Sequence, residues 1–215
     1  YYNEICGYLK ELTVLYVNQN ETYRLKSTAR ILELLACLVE HFSEPVSLVA
    51  TQTRAGNMER LETAFYFGAD AVYLSGRAFG LRAYAGNFDD AQLEQAVLYA
   101  HGLGKKVYIA ANIFLREQDI PAFKDYIALL GRIAADGVII SDLGAAALAK
   151  EICPELPLHI STQFNAMNHL TISSLHNIGA SRIILARELS IEEIRRIRDN
   201  IPEDIELEGF VHGAM

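Results

Sequence analysis

Gly68-Ala69-Asp70-Ala71-Val72, Ala134-Ala135-Asp136-Gly137-Val138 and Gly179-Ala180-Ser181-Arg182-Ile183 are three versions of one junction. In each, a small residue closes a helical pattern, a polar residue turns the chain, and a run suited to a strand begins. Short apolar runs of the kind buried in parallel sheets lie at Ser47–Thr51, Ala71–Leu74, Lys106–Ala110, Gly137–Ser141, Leu158–Ser161, Arg182–Ala186 and Glu206–Val211. Helical patterns fill the gaps: Met58–Phe67, Asp89–Gly102, Ile120–Ala134, Gly144–Ile152, Ala166–Ile178 and Ser190–Asp199. Strict alternation means a parallel sheet flanked by helices, and both a doubly wound sheet and an eight-stranded barrel satisfy it. The barrel is favoured, because the junction recurs around the domain and no glycine-rich dinucleotide turn follows the first strand. The expected fold is therefore an α/β, TIM-like (β/α) barrel over residues 46–215, incomplete at about seven strands and six helices. A barrel open at one edge leaves backbone groups unpaired, so the fragment is expected to fold poorly alone.

Residues 1–45 read differently. Ile31, Leu34, Leu35, Leu38, Val39 and Phe42 follow helical spacing, so a helix is expected at about 27–42, capped by Ser27 or Thr28 and followed by Pro45. This N-terminal segment carries no catalytic spacing and looks unrelated to the repeat.

The bulk numbers narrow the function classes. At 51% hydrophobic and 21% charged the chain is globular in composition. A formal charge of −8 argues against an extended basic footprint for nucleic acid, while leaving room for a local one. Cys6, Cys37 and Cys153 are widely spaced and form no CxxC pair, so neither a disulfide framework nor a zinc site is supported. No run of 18 apolar residues or secretory leader is present, and a cytoplasmic protein without membrane association is the expectation.

In such barrels chemistry gathers after the carboxyl ends of the strands. Those positions hold Ser75, Gly76, Arg77, Arg82 and Asn87 after the second strand, Asn112 after the third, and Ser141 and Asp142 after the fourth. Ser161, Thr162, Gln163 and Asn165 follow the fifth, Arg187 and Glu188 the sixth, and His212 and Gly213 the seventh. Most are hydrogen-bonding groups that orient a polar ligand, and an arginine there holds a carboxylate or phosphate bidentately. Each has a plainer role to weigh. Asp142 is placed to cap the following helix, and Ser190 with Glu193 is a capping box. Arg187 and Glu188 are placed to pair with one another or with neighbouring loops. His159, inside a strand, reads as a satisfied interior histidine, and His101, His169 and His176 fall in helices. His212, at a strand end between Val211 and Gly213, is expected to aim its ring into the mouth. No Ser/His/Asp order and no HExxH motif is present.

Several motifs together resemble a known family. They are Ala55-Gly56-Asn57, Tyr66 to Leu74, Arg82-Ala83, Asn87-Phe88, Tyr99-Ala100-His101, Lys105 to Tyr108, Ser161-Thr162-Gln163, Leu185 to Ser190, and Glu208 to Met215. The chain is identified by them as similar to the collagenase-like peptidases (peptidase family U, number thirty-two) over residues 55–215. The resemblance implies that a cysteine follows Met215, that further cysteines hold an iron–sulfur cluster in the full-length parent, and that this fragment, which has no metal ligands of its own, binds none and is inactive. It implies an enzyme in which redox hydroxylation is preferred to proteolysis: an oxygen-independent hydroxylase acting on transfer or ribosomal RNA, or on a small aromatic or quinone-precursor substrate. The alternatives are a peptidase, as the family label says, and a non-catalytic subunit in a heterodimer with a second family member. On this reading His212, Arg187 and Glu188 are the catalytic candidates, with His212 beside the cluster. Ser161, Thr162, Gln163, Asn165, Asn112, Asp142 and Arg82 are the substrate-binding ones, and the resemblance implies that Arg187 and the Ser161–Gln163 loop hold the substrate or an oxygen-donating carboxylic acid. The family's first barrel strand and turn read Leu-Leu-Ala-Pro-Ala-Gly-Asn. Here Leu48 to Arg54 precede Ala55 with no proline, so a fused or foreign N-terminal segment is expected.

Overall fold

The computed structural model describes residues 52–81 and 87–210. These residues fall within the second of two units into which the chain divides, Ala50–Met215. The helix expected at 27–42, the strand at Ser47–Thr51, and Arg82 and His212 lie outside the described residues.

Seven strands and six α-helices alternate along the described chain: β1 Gln52–Arg54, α1 Met58–Tyr66, β2 Ala71–Ser75, α2 Asp90–Gly102, β3 Lys106–Ala110, α3 Ile120–Arg132, β4 Gly137–Ile140, α4 Leu143–Ile152, β5 Leu158–Ile160, α5 His169–Asn177, β6 Ala180–Ile184, α6 Ile191–Arg198 and β7 Glu206–Glu208. Single 3₁₀ turns occupy Glu117–Asp119 and Thr162–Phe164. All strand pairs are parallel, and the sheet order is the sequence order, β1 to β7. A doubly wound sheet reverses its order at a switch point; a barrel does not.

The sheet is curled. Strands three apart in a flat sheet lie ~14 Å from each other. Yet the Arg182 guanidinium on β6 sits 4.7 Å over the Tyr108 ring on β3. Ala71, Tyr108, Ile139 and Ile184, from β2, β3, β4 and β6, form one buried cluster with Tyr73 and Phe210 packed on it. That cluster is the inside of the curl. The alternate residues, Val72, Leu74, Val107, Ile109, Val138, Ile140, Leu158, Ile160 and Ile183, face Leu61, Leu93, Phe123, Ile127, Leu130 and Ile172 of the helices in the main core. Burial on both faces explains why the strands read as continuous apolar runs.

The junction chemistry has a backbone cause. Gly68, Ala134 and Gly179 take φ of +90°, +56° and +94°, the left-handed conformation that ends a helix. The polar residue that follows bonds the start of a strand. Asp136 Oδ2 accepts from the Val107 N–H at 2.8 Å and lies 2.9 Å from His101 Nε2. Lys105 Nζ donates to Asp70 at 3.3 Å.

Three boundaries depart from the sequence expectation. The described first strand is Gln52–Arg54, in register with Ala71–Tyr73. β6 is Ala180–Ile184 rather than Arg182–Ala186, because Ala180 already pairs with Leu158 across an irregular register. α5 starts at His169, not Ala166. Asn165, with φ +56°, closes the 3₁₀ turn, and the Asn168 side chain accepts from Thr171 N at 2.9 Å to cap the helix.

Candidate functional site at the barrel mouth

The carboxyl ends of β3, β4 and β5 converge on one side chain. Gln163 Oε1 accepts from Asn112 Nδ2 at 2.7 Å, Ser141 Oγ at 2.9 Å and Ser161 Oγ at 3.4 Å. Ser161 and Ser141 are buried, Asn112 is half-buried, and Gln163 is exposed. Local folding delivers Gln163 here, since Ser161 Oγ also accepts from the Gln163 N–H at 3.3 Å and opens the 3₁₀ turn. Asn112 Oδ1 in turn accepts from the Leu81 N–H at 3.3 Å, tying the loop after β2 to the same cluster. Thr162 Oγ1 donates to Leu185 O at 2.9 Å and pins the β5 loop to β6. Four of the predicted substrate-binding residues, Asn112, Ser161, Thr162 and Gln163, thus lie in one linked group, together with Ser141.

The others are placed separately. Asp142 Oδ1 accepts from Ala145 N at 2.8 Å as the N-cap of α4. Asn165 is exposed in its left-handed turn. Arg187 and Glu188 are both exposed after β6, and the Arg187 guanidinium lies 4.2 Å over the Phe210 ring, which follows β7.

Beneath the mouth lies a polar layer the sequence reading missed. Arg182 Nε donates to Glu206 Oε2 at 2.7 Å, its Nη2 bonds Tyr108 Oη at 3.3 Å, and its Nη1 lies 3.7 Å from Glu208. Burial disfavours the Arg182 cation, but the bonds to Glu206 and Tyr108 more than offset this and hold it charged. The His159 ring packs against Tyr108 in a tilted arrangement, with ring centroids 4.7 Å apart, and is 3% exposed. The ring is interior, as expected, but the expectation that it is satisfied is corrected, because its Nδ1 has no hydrogen-bond partner among the described residues. Burial, then the positive charges of Arg182 and Lys106, push its pKa down to about 3, so the ring is neutral. The period-two pattern that puts Tyr108, His159, Arg182 and Glu206 on the inward face was the available signal; their meeting needs the curl.

Residues 56–215 match the family model for Peptidase family U32. The chain belongs to peptidase family U32. This U32 chain is 36% identical over 161 residues to tRNA hydroxylation protein P1 of Bacillus subtilis, covering 75% of this chain and 38% of that one. It is 39% identical over 161 residues to tRNA hydroxylation protein P of Escherichia coli, covering 75% and 35%. The chain therefore spans little more than a third of the length of these relatives. Among solved structures, the U32 peptidase Mk0906 superposes with a TM-score of 0.64 at 17% identity, over 79% of this chain and 71% of that one, a likeness of fold. The barrel expectation and the family resemblance both hold.

The iron–sulfur cluster implied by the resemblance does not fit the described residues. No group of three His, Cys, Asp or Glu among them is placed to hold a metal. Cys153 is half-buried at the end of α4, against Gly131 of α3, in the outer helix layer and at the opposite end from the mouth. Among the described residues, no helix is long and apolar enough to cross a membrane.

Proposed function

We propose that this chain is the substrate-holding barrel of an iron–sulfur-dependent, oxygen-independent hydroxylase of RNA. The observation that carries the reading is the match, across three quarters of the chain, to proteins named for tRNA hydroxylation. The mouth chemistry supports it. Its groups are amides, hydroxyls and an arginine, suited to orienting a polar ring or an oxygen-donating carboxylic acid. The two mouth serines donate to Gln163 rather than to a base, so the activated nucleophile that peptide hydrolysis requires has no counterpart in this cluster. The reading assigns redox chemistry to a cluster whose ligands lie outside the described residues, and assigns binding and orientation to the residues described above.

Nucleosides from the tRNA and rRNA of cells with and without the full-length protein provide the test. The expected result is one nucleoside heavier by a single oxygen atom only when the protein is present, and iron in protein purified without air. Gelatin cleavage by iron-free protein, with no change in any nucleoside, refutes the reading in favour of the peptidase. Within the full-length protein, Arg187→Ala is expected to remove activity with little loss of stability. The side chain is exposed, and its stacking on Phe210 is worth only ~0.5–1 kcal/mol. Unchanged turnover removes Arg187 from the site.

A further inference from the structure

The orientation of the Gln163 amide is dictated step by step from a group that cannot reorient. A backbone N–H is only a donor. The Leu81 N–H therefore fixes the amide of Asn112, whose Oδ1 accepts from it at 3.3 Å. Asn112 must then turn its Nδ2 toward Gln163, which it meets at 2.7 Å. Two donors cannot face each other across that distance, so Gln163 turns its Oε1 inward. The two serines complete the saturation of that oxygen at 2.9 and 3.4 Å. Among the described residues, all the polar contacts of the Gln163 amide fall on its oxygen, and the side chain is exposed at the mouth. The opposite end of the amide, Nε2, carries two protons fixed by the same chain.

We infer that Gln163 is a preset donor, whose Nε2 hydrogen-bonds an acceptor oxygen of the ligand in the barrel mouth. The device costs no reorientation on binding, because the protein has already settled which end of the amide faces out. The ligand class is a molecule that presents a carbonyl or carboxylate oxygen to the mouth, and a ligand that presents an amino group there is rejected by donor meeting donor. The inference rests on the hydroxylase reading for the nature of the ligand. A ring carbonyl of the RNA base and a carboxylate of the oxygen-donating acid share the required chemistry.

Gln163→Glu in the full-length protein separates the two ends of the amide. A carboxylate keeps the inward acceptor for Asn112, Ser141 and Ser161 but removes the outward donor and places a second acceptor there. The thermal midpoint is expected to match that of the unaltered protein, while the hydroxylated nucleoside in cellular RNA falls about 10- to 100-fold, the range for a lost hydrogen bond made worse by acceptor–acceptor repulsion. Filter binding of total tRNA then locates the oxygen. Weakened RNA affinity places it on the base, and unchanged affinity with lost modification places it on the acid. An undiminished nucleoside level overturns the inference, as does a markedly lower thermal midpoint, which would mean that the outward amide end was also held by the protein. Failure of the hydroxylase reading is a different result: no oxygen added by the unaltered protein.

Discussion

The buried His159 makes the barrel acid-sensitive by an amount that the structure predicts. In the unfolded chain a histidine titrates near 6.5; in the fold, burial and the charges of Arg182 and Lys106 bring it to about 3. Between those values the unfolded chain binds a proton that the folded chain refuses. Stability is therefore fully present above about pH 6.5 and is lost as the pH falls toward 3, at about 1.4 kcal/mol per pH unit. At pH 5 the loss is about 2 kcal/mol, without a discount for solvent, because the ring is 3% exposed. His159→Phe is the matched perturbation. It keeps an aromatic ring against Tyr108 and removes both the titration and the unpartnered Nδ1. Denaturant unfolding followed by circular dichroism, at pH 7.5 and pH 5, is the assay. The unaltered protein should lose about 2 kcal/mol more than His159→Phe between the two conditions. The difference isolates His159, since carboxylate titrations are common to both proteins. Equal losses would refute the reasoning, and would mean that His159 becomes charged inside the fold.

Two further substitutions test packing and capping. A Cβ at Gly76 would stand 2.4 Å from Tyr126 Oη and 3.1 Å from Tyr126 Cζ, and Tyr126 is buried. Gly76→Ala should cost about 1–3 kcal/mol in unfolding free energy, and adding Tyr126→Phe should recover part of it; a neutral Gly76→Ala would show that the loop after β2 moves freely. Ala134 holds the left-handed junction position that Gly68 and Gly179 fill with glycine. Ala134→Gly should thus be neutral or raise stability by up to ~1 kcal/mol, where a glycine within a helix lowers it, as thermal unfolding will show.

The alternation of elements was legible because it is written in local chemistry. Helix ends need a left-handed residue, buried parallel strands need apolar residues on both faces, and both leave marks a few residues long. Boundaries were less legible where a side chain decides them. Asn165 and Asn168 redirect the chain before α5, although the apolar pattern runs on from Ala166. At the mouth, the strand-end rule found Asn112, Ser161 and Gln163 but not their convergence on a single oxygen. Contacts across β3, β4 and β5 depend on curvature, which no local pattern records. The same holds for Arg182, whose partners Tyr108 and Glu206 stand 74 and 24 residues away. The unpartnered Nδ1 of His159 is illegible for a related reason. Its inward position was legible, but whether Nδ1 finds a partner depends on which rings crowd it.

Gly137 faces the same ring from the neighbouring strand. A Cβ there would lie 3.1 Å from both His159 Cε1 and His159 Nε2, and 3.1 Å from the Pro157 carbonyl oxygen. The imidazole thus occupies volume that any other residue at position 137 would claim. Over evolutionary time the two positions are bound as one exchange. A lineage that places alanine at 137 has to shift the ring at 159 and the Pro157 carbonyl by a few tenths of an ångström, and one that leaves both in place keeps the glycine with them. Substitutions that look independent along the chain form a single heritable choice about how the middle of the barrel is filled.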